Sequence, residues 1–427
     1  MYKQSVKQAL GMLKENPFFS FISILGTALA ISLIMVIVII YELQTADYPP
    51  ETNRSRTLFI CYNSFLRDNA QNYSSCGIPF VKACLYPLQT PEAVTAISHT
   101  EATIVTSADG ARRMKCDLKK TDANYWKVFA FHFLSGHPFT QSDVESNIPS
   151  AVVSRKVARQ LFGKEEVVGE QININRMPYR IAGVVGDVSI LASFGYAQVW
   201  VPYPASLLSD KLDETTGDGF TGGFQVLLLA HSAADFSLIR EEVEGSVDRL
   251  NSEFSEAKTD LMHQPDDQLK QSFRVWASKE PDMRQIYLQY GFAILILLLV
   301  PALNLSGLTT SRVQKRMAEL GVRKAFGATR SKLVGQMLIE NFVLTLIGGL
   351  VGLSLSMGVV AGMKDWLLGS NDSMLLGGEM SIGMGQMFTP VTFLFAFLFC
   401  LILNMLSAFI PAWRASSRPI VESLSEY

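Results

Sequence analysis

Few residue groups in this sequence could do covalent or hydrolytic chemistry, and their spacing is poor for it. The five histidines, His99, His132, His137, His231 and His263, are scattered through one polar stretch, the pattern of surface or core residues. Asp266-Asp267 and Glu241-Glu242 are adjacent acids, which point to opposite flanks of their element and cannot share one substrate as an acid–base pair. No G-x-x-x-x-G-K-[ST] loop is present to cradle nucleotide phosphates, and no H-E-x-x-H or G-x-S-x-G occurs. Cys61, Cys76, Cys84 and Cys116 share one polar stretch, whereas Cys400 sits in an apolar run. No C-x-x-C pair supports zinc. An even count suits disulfides in an oxidising compartment, with three pairings that spacing does not separate, and buried free thiols satisfy it equally. The residues predict no catalytic centre, no bound cofactor and no metal.

The group with a directed pattern is basic. Arg312, Lys315, Arg316, Arg323, Lys324, Arg330 and Lys332 stand against the single acid Glu319, and the chain then turns apolar. Val313, Met317 and Leu320 recur at helical spacing opposite the charges, which predicts a short amphipathic helix lying at a membrane surface. An ordinary positive-inside loop would carry the same charge.

Elements long enough to position such a segment are membrane helices. The chain of 427 residues is 48% hydrophobic and 18% charged, with a formal net charge of -2, too apolar for a wholly soluble enzyme and too neutral for nucleic acid. Residues 1–17 read as an amphipathic cytoplasmic helix, with Val6, Ala9, Leu10 and Leu13 on one face and Lys3, Lys7 and Lys14 off it. Spans are expected at 18–43, 286–308, 333–360 and 389–410, separated by an outer domain at 44–285, a cytoplasmic loop at 309–332 and a short outer loop at 361–388. A cytoplasmic tail at 411–427 puts both termini inside. The first apolar run exceeds the ~7–15 residues of a signal h-region and is read as an uncleaved anchor. Small residues Gly26 and Ala30, and Gly348, Gly352 and Ser356, are placed for close helix packing. Glu340, inside the third run, is expected to snorkel or to pair with a basic group.

Residues 44–285 alternate between strand and helix patterns, which predicts an α+β fold with a core of its own. Ala151–Val153 reads as a buried strand, Ser154 as a helix N-cap, Val157 and Leu161 as the inward face and Gly163 as the stop. Gln171–Asn175 and Tyr179–Val185 read as a hairpin turning at Arg176–Pro178. Phe224–Leu229 reads as a strand, and Asp235 as the cap of a helix carrying Phe236, Ile239, Val243, Val247, Leu250 and Phe254.

The run E-L-G-V-R-K-A-F-G-A-T-R from Glu319 to Arg330, with Gly348, Gly349 and Gly352 in the span after it, resembles the permease subunits of FtsX-like, MacB-like ABC transporters. The stretch from Asn124 to Asp187 and the ending from Pro411 to Leu424 are similar to the same family. The resemblance implies a permease subunit of four transmembrane helices plus one large α+β extracytoplasmic domain, a porter-like part from residues 48–115 and 222–280 with an inserted lobe between. It implies that Glu319, Gly321, Arg323, Lys324, Gly327, Ala328 and Arg330 form a coupling helix docking on a separate ABC ATPase subunit, which would hold ATP and Mg. It further implies a bacterial inner-membrane location, a dimer with itself or a homologous permease, and a periplasmic adaptor or outer-membrane partner. The work would be mechanotransmission for export or extraction of a substrate. Two other roles stay open: a regulator activating a periplasmic enzyme such as a cell-wall hydrolase, and an ATP-independent receptor or channel.

Overall fold

The computed structural model describes residues 17–45, 47, 49–68, 70–190, 192–204, 207, 211–254, 256–293, 295–296, 322–369 and 390–417. Residues 1–16, most of the 286–308 span with Asn304, Glu319, Gly321, most of the 361–388 loop and the end of the tail lie outside them. The chain divides into two compact units, a helical one and one holding Leu43–Met283.

In the helical unit, Pro17–Thr45 is one helix of 29 residues. A second helix starts at 283. Arg330–Gly369 is a helix of 40 residues, running past the expected end at 360 because no proline interrupts Ala361–Leu368. Pro390–Ser417 continues through Pro411 where the sequence predicted a stop. Among the described residues, two helices are long and apolar enough to cross a membrane, Arg330–Val359 and Phe397–Arg414, and Ile24–Val38 is a shorter apolar stretch.

The other unit is built on 14 strands and two hydrophobic cores. Six strands close a ring: Val199–Pro202 pairs with Ser150–Ser154, which pairs with Met177–Val185, then Gln171–Ile174, Glu101–Ser107 and Arg113–Thr121, which returns to Val199–Pro202. Closure leaves no free edge within the ring. It encloses a core of Val105, Cys116, Leu118, Val153, Ile172, Ile181 and Val199, with the helix Arg155–Phe162 adding Val157, Ala158 and Leu161. Ser154 caps that helix by accepting from Val157 N, and Gly163 ends it at φ 73°, both as predicted. The second core is larger. It joins Leu58–Ile60 and Val226–Leu229 to the helix Phe236–Glu253, which buries Ile239, Val243, Val247 and Leu250 as its spacing predicted.

The lobe boundary differs from the expected one. Glu101–Ser107, assigned by sequence to the first part, belongs to the ring because it pairs along its length with Arg113–Thr121 and Gln171–Ile174. Tyr125, Val128, Phe129 and Phe139, assigned to the insert, pack in the larger core. The hairpin turns at Asn175 and Arg176, with φ of 50° and 69°, leaving Pro178 in the strand opposite Asn173. Ser150–Ser154 pairs only from Arg180 onward, so the proline costs no ladder bond to it. Asp235 caps differently from expectation: its Oδ2 accepts from the amide and hydroxyl of Ser232, closing a box over the turn Ala233–Asp235.

Candidate functional site: the coupling turn and its helix

The described part of the basic segment is a single helical turn at 322–325, then Phe326 and Gly327, then the long helix from Arg330. Phe326 N bonds Val322 O, Gly327 N bonds Lys324 O and Ala328 N bonds Arg323 O, which closes the turn. Gly327 sits at φ 86° with nothing within 4 Å of an added Cβ. The left-handed backbone by itself therefore requires glycine at this position.

Arg323 and Lys324, expected to be exposed, are half-buried, whereas Arg330 is exposed at the start of its helix. Burial pulls the Lys324 ammonium below its ordinary value, and the charge of Arg330 adds to the effect. Arg323 Nη1 donates to Gln336 Oε1 at 2.7 Å, and Gln336 Nε2 donates to Glu340 Oε1 at 3.1 Å. Glu340 thus reaches a basic group through an intermediate amide. The turn's most exposed large side chain is Phe326, at 87%, beside Val322 at 46%. Sequence reading passed over Phe326 and Gln336. An aromatic against a glycine inside a basic segment, and a glutamine one helical turn before a lone intramembrane acid, were the signals that could have found them.

Small residues set the seams of this unit. A Cβ on Gly348 would lie 2.8 Å from Thr27 Cβ, and one on Gly352 would lie 2.7 Å from Ala28 O. Gly349, which was not singled out, meets the Phe397 ring. Ser356 is buried and donates to Leu353 O, whereas no described atom lies within 4 Å of a Cβ added to Gly26. The side chain of Ala30 lies outside the described residues. Beside these seams, Asn341 Nδ2 donates to Asn404 O at 3.2 Å and Thr345 Oγ1 to Asn341 O at 2.9 Å, so the polar groups of two apolar helices satisfy one another.

The outer unit carries a clamp where its two chain ends meet. Phe59 and Asp266 exchange backbone bonds of 2.8 and 2.9 Å. Gln264 Oε1 accepts from Cys61 N at 2.8 Å, and its Nε2 donates to Tyr62 O at 2.9 Å. Asp266 takes Arg274 in a two-bond fork, Nε to Oδ2 at 2.5 Å and Nη2 to Oδ1 at 3.2 Å, with both side chains at 0% exposure. Lys270 Nζ bridges Asp266 and Glu280 at 3.2 and 2.5 Å. Partial burial works against ionisation of Glu280, but the bond and charge of Lys270, with His263 and Arg274 behind it, outweigh that and hold the carboxyl below its ordinary value.

No chemistry follows from these groups. Among the described residues no cluster of His, Cys, Asp or Glu could hold a metal ion. Of the two readings left open for Cys61, Cys76, Cys84 and Cys116, the structure takes the second: no bridge joins them and all four are buried free thiols. Cys116 lies in the ring core and the other three in the larger one, which separates it from them. Burial pushes Cys84 up to about 11 and Cys116 to about 12, and Cys61 and Cys76 higher still, so none is a nucleophile near neutrality. Asp122 is raised by burial too, against four bonds, from Tyr86 and Thr95 hydroxyls and Ala96 and Tyr125 amides, at 2.6 to 3.0 Å.

Comparison with known proteins places these parts. Residues 20–246 match the model of the MacB-like periplasmic core domain, and residues 291–420 that of the FtsX-like permease C-terminal region. The chain is 28% identical over 286 residues to the "Uncharacterized ABC transporter permease YknZ" of Bacillus subtilis (strain 168), covering 62% of this chain and 64% of that protein. It is 27% identical over 310 residues to the "Macrolide export ATP-binding/permease protein MacB" of Escherichia coli (strain K12), covering 71% of this chain and 42% of that one. The chain therefore spans less than two thirds of the length of either relative. The crystal structure of the periplasmic region of MacB from Actinobacillus actinomycetemcomitans aligns at TM-score 0.34 and 18% identity, over 51% of this chain and 94% of that one. The core-domain model alone takes in more than half of the 427 residues, and the permease model follows it in the same order, so the chain belongs to the FtsX-like, MacB-like family of ABC transporter permeases.

Proposed function

We propose that this chain is the membrane subunit through which a separate ABC ATPase moves a large extracytoplasmic domain, in a mechanotransmission cycle that exports a substrate or extracts it from the outer leaflet. Four spans with both termini inside, a bacterial inner-membrane location and a permease dimer complete the reading. ATP and Mg would be held by the ATPase. The observation that carries it is the coupling turn: a basic turn with an exposed Phe326 at its tip, leading through Gly327 into a 40-residue apolar helix. An aromatic anchor ringed by charge is the composition of a docking hot spot. Pairing of Asn341, Thr345 and Asn404 with one another supports motion over conduction, since these groups are spent on packing.

The test is purification of the full chain from its native membrane in mild detergent. An ABC ATPase with ATP-hydrolysing activity is expected to co-purify, and Phe326→Asp is expected to reduce both its yield and the activity roughly tenfold or more, the effect of losing a hot-spot aromatic. Co-purification of a cell-wall hydrolase without an ATPase would replace this reading with the regulatory one, and an undiminished ATPase yield with Phe326→Asp would remove the turn from the interface.

A further inference from the structure

The covalent link between the coupling turn and its helix is weak. Phe326 to Thr329 is not helical, Gly327 is in the left-handed region, and the helix resumes only at Arg330. A push on the turn would bend such a joint before it moved the helix. The side chains run across the break. Arg323, on the turn, bonds Gln336, thirteen residues on and inside the helix, and Gln336 bonds Glu340 one turn deeper. At ~1.5 Å per residue, Glu340 lies roughly 15 Å along the helix from Arg330, so the chain of bonds reaches well into the apolar run.

We propose that Gln336 is the positioning residue that stiffens this joint, so that the turn and the first turns of the Arg330–Gly369 helix move as one body. The inference rests on the coupling reading given above for its role in transport, but the joint itself is a property of this chain. The chemistry selects an amide. Guanidinium only donates and carboxylate only accepts, so a linker between Arg323 and Glu340 must accept at one end and donate at the other, which Gln does with one planar group. A leucine does neither, and a lysine or glutamate at 336 would repel one of its two neighbours. The same arrangement settles Glu340, whose charge would be costly facing lipid and which here accepts a bond from Gln336 while Arg323 lies one amide away.

The experiment is amide hydrogen exchange on the full chain in lipid nanodiscs. Gln336→Leu is expected to speed exchange at 326–328, where three amides close the turn, by roughly tenfold or more, while 341–356 keeps wild-type rates. Arg323→Met cuts the same link from the other end and is expected to give the same local change. The double variant is expected to go no faster than either single one, because both remove one interaction. Unchanged exchange at 326–328, additive effects, or loosening that extends through 341–356 would each overturn the joint. With ATPase bound, Gln336→Leu is expected to keep wild-type ATPase yield yet lose the ATP-dependent change in exchange of the outer domain. Loss of ATPase yield in step with Phe326→Asp would reduce Gln336 to a shaper of the docking surface and overturn its role in transmission. A wild-type chain that binds no ATPase would instead end the coupling reading and leave the exchange result on the joint standing.

Discussion

The two units spend their buried polar groups differently. In the outer unit, three buried carboxylates are tied down by several bonds each: Asp122 takes four bonds, Asp266 takes Arg274 and Lys270, and Glu51 takes Arg54 at 2.6 Å plus the amides of Phe194 and Gly195. Asp122 and Glu51 tie together segments far apart in sequence, Asp266 does so through its backbone exchange with Phe59, and the strand ring closes on itself. Among the described residues of the helical unit, Asn341, Thr345 and Asn404 bond one another, and glycines set the contacts at Thr27, Ala28 and Phe397. The contrast teaches where compliance lies. A domain whose chain ends are clamped to each other moves as a body, whereas helices meeting at small residues slide, and a turn broken at Gly327 needs Gln336 to carry load.

The largest expected effect breaks the clamp. Arg274→Ala leaves Asp266 fully buried with its main partner gone, a change that typically costs about 3–5 kcal/mol. The measurement is thermal unfolding of the outer domain in the solubilised full chain, followed by near-ultraviolet circular dichroism. The pair Asp266→Leu with Arg274→Met is expected to recover much of the loss, since no charge is then stranded. A mild phenotype for Arg274→Ala would mean that the clamp is not what makes the domain rigid.

The next effect is in the seam. Gly352→Leu forces a side chain where a Cβ already lies 2.7 Å from Ala28 O, and overpacking of this kind costs about 1–3 kcal/mol. Gly26→Leu, with no described atom within 4 Å of an added Cβ, is expected to be neutral in the same assay of helix association, resistance to dissociation in denaturing detergent. Equal effects at the two positions would dissolve the distinction between seam and lipid face.

A smaller effect tests local design within the ring. Ser154→Ala removes the hydroxyl that accepts from Val157 N and is expected to cost about 1 kcal/mol, read as a lowered unfolding midpoint. Ser154→Asp, which can cap equally, is expected to hold the midpoint.

Ser154 and Gly163 also show what the sequence made legible. Caps, stops and apolar periodicity act within a few residues, so the Arg155–Phe162 and Phe236–Glu253 helices and the 224–229 strand stand where their spacing put them. Pairings across long separations left no such trace. Nothing local announces that Val199–Pro202 lies parallel to Leu118–Thr121, closing the ring, or that Glu101–Ser107 sides with the insert. Proline misled twice: Pro178 has no ladder partner on its donor side, and Pro411 stays inside its helix at the cost of one backbone bond. The basic segment was legible as charge, yet its geometry was not. Arg323 looked like a surface cation, and the glutamine that holds it looked like one more polar residue in a span.

The smallest effect sharpens the clamp by pH. Glu280 is held below its ordinary value by Lys270, His263 and Arg274 despite partial burial, so the folded state releases its proton more readily than the unfolded chain. For a depressed carboxyl the sign is fixed: its contribution is fully present above the ordinary value of about 4.3 and is lost as pH falls from there through the folded value. Glu280 is 42% exposed, so water and salt screen the pair, and a contribution under about 1 kcal/mol is expected. Wild-type stability should therefore fall between about pH 5 and pH 3 slightly more steeply than that of Glu280→Gln, with the two curves converging at the acid end, where both side chains are neutral. The difference should shrink in high salt. Curves that run parallel over this window would mean that Lys270 serves Asp266 alone, and that the clamp ends at the buried Asp266–Arg274 pair without reaching the segment that leads to the helix at 283.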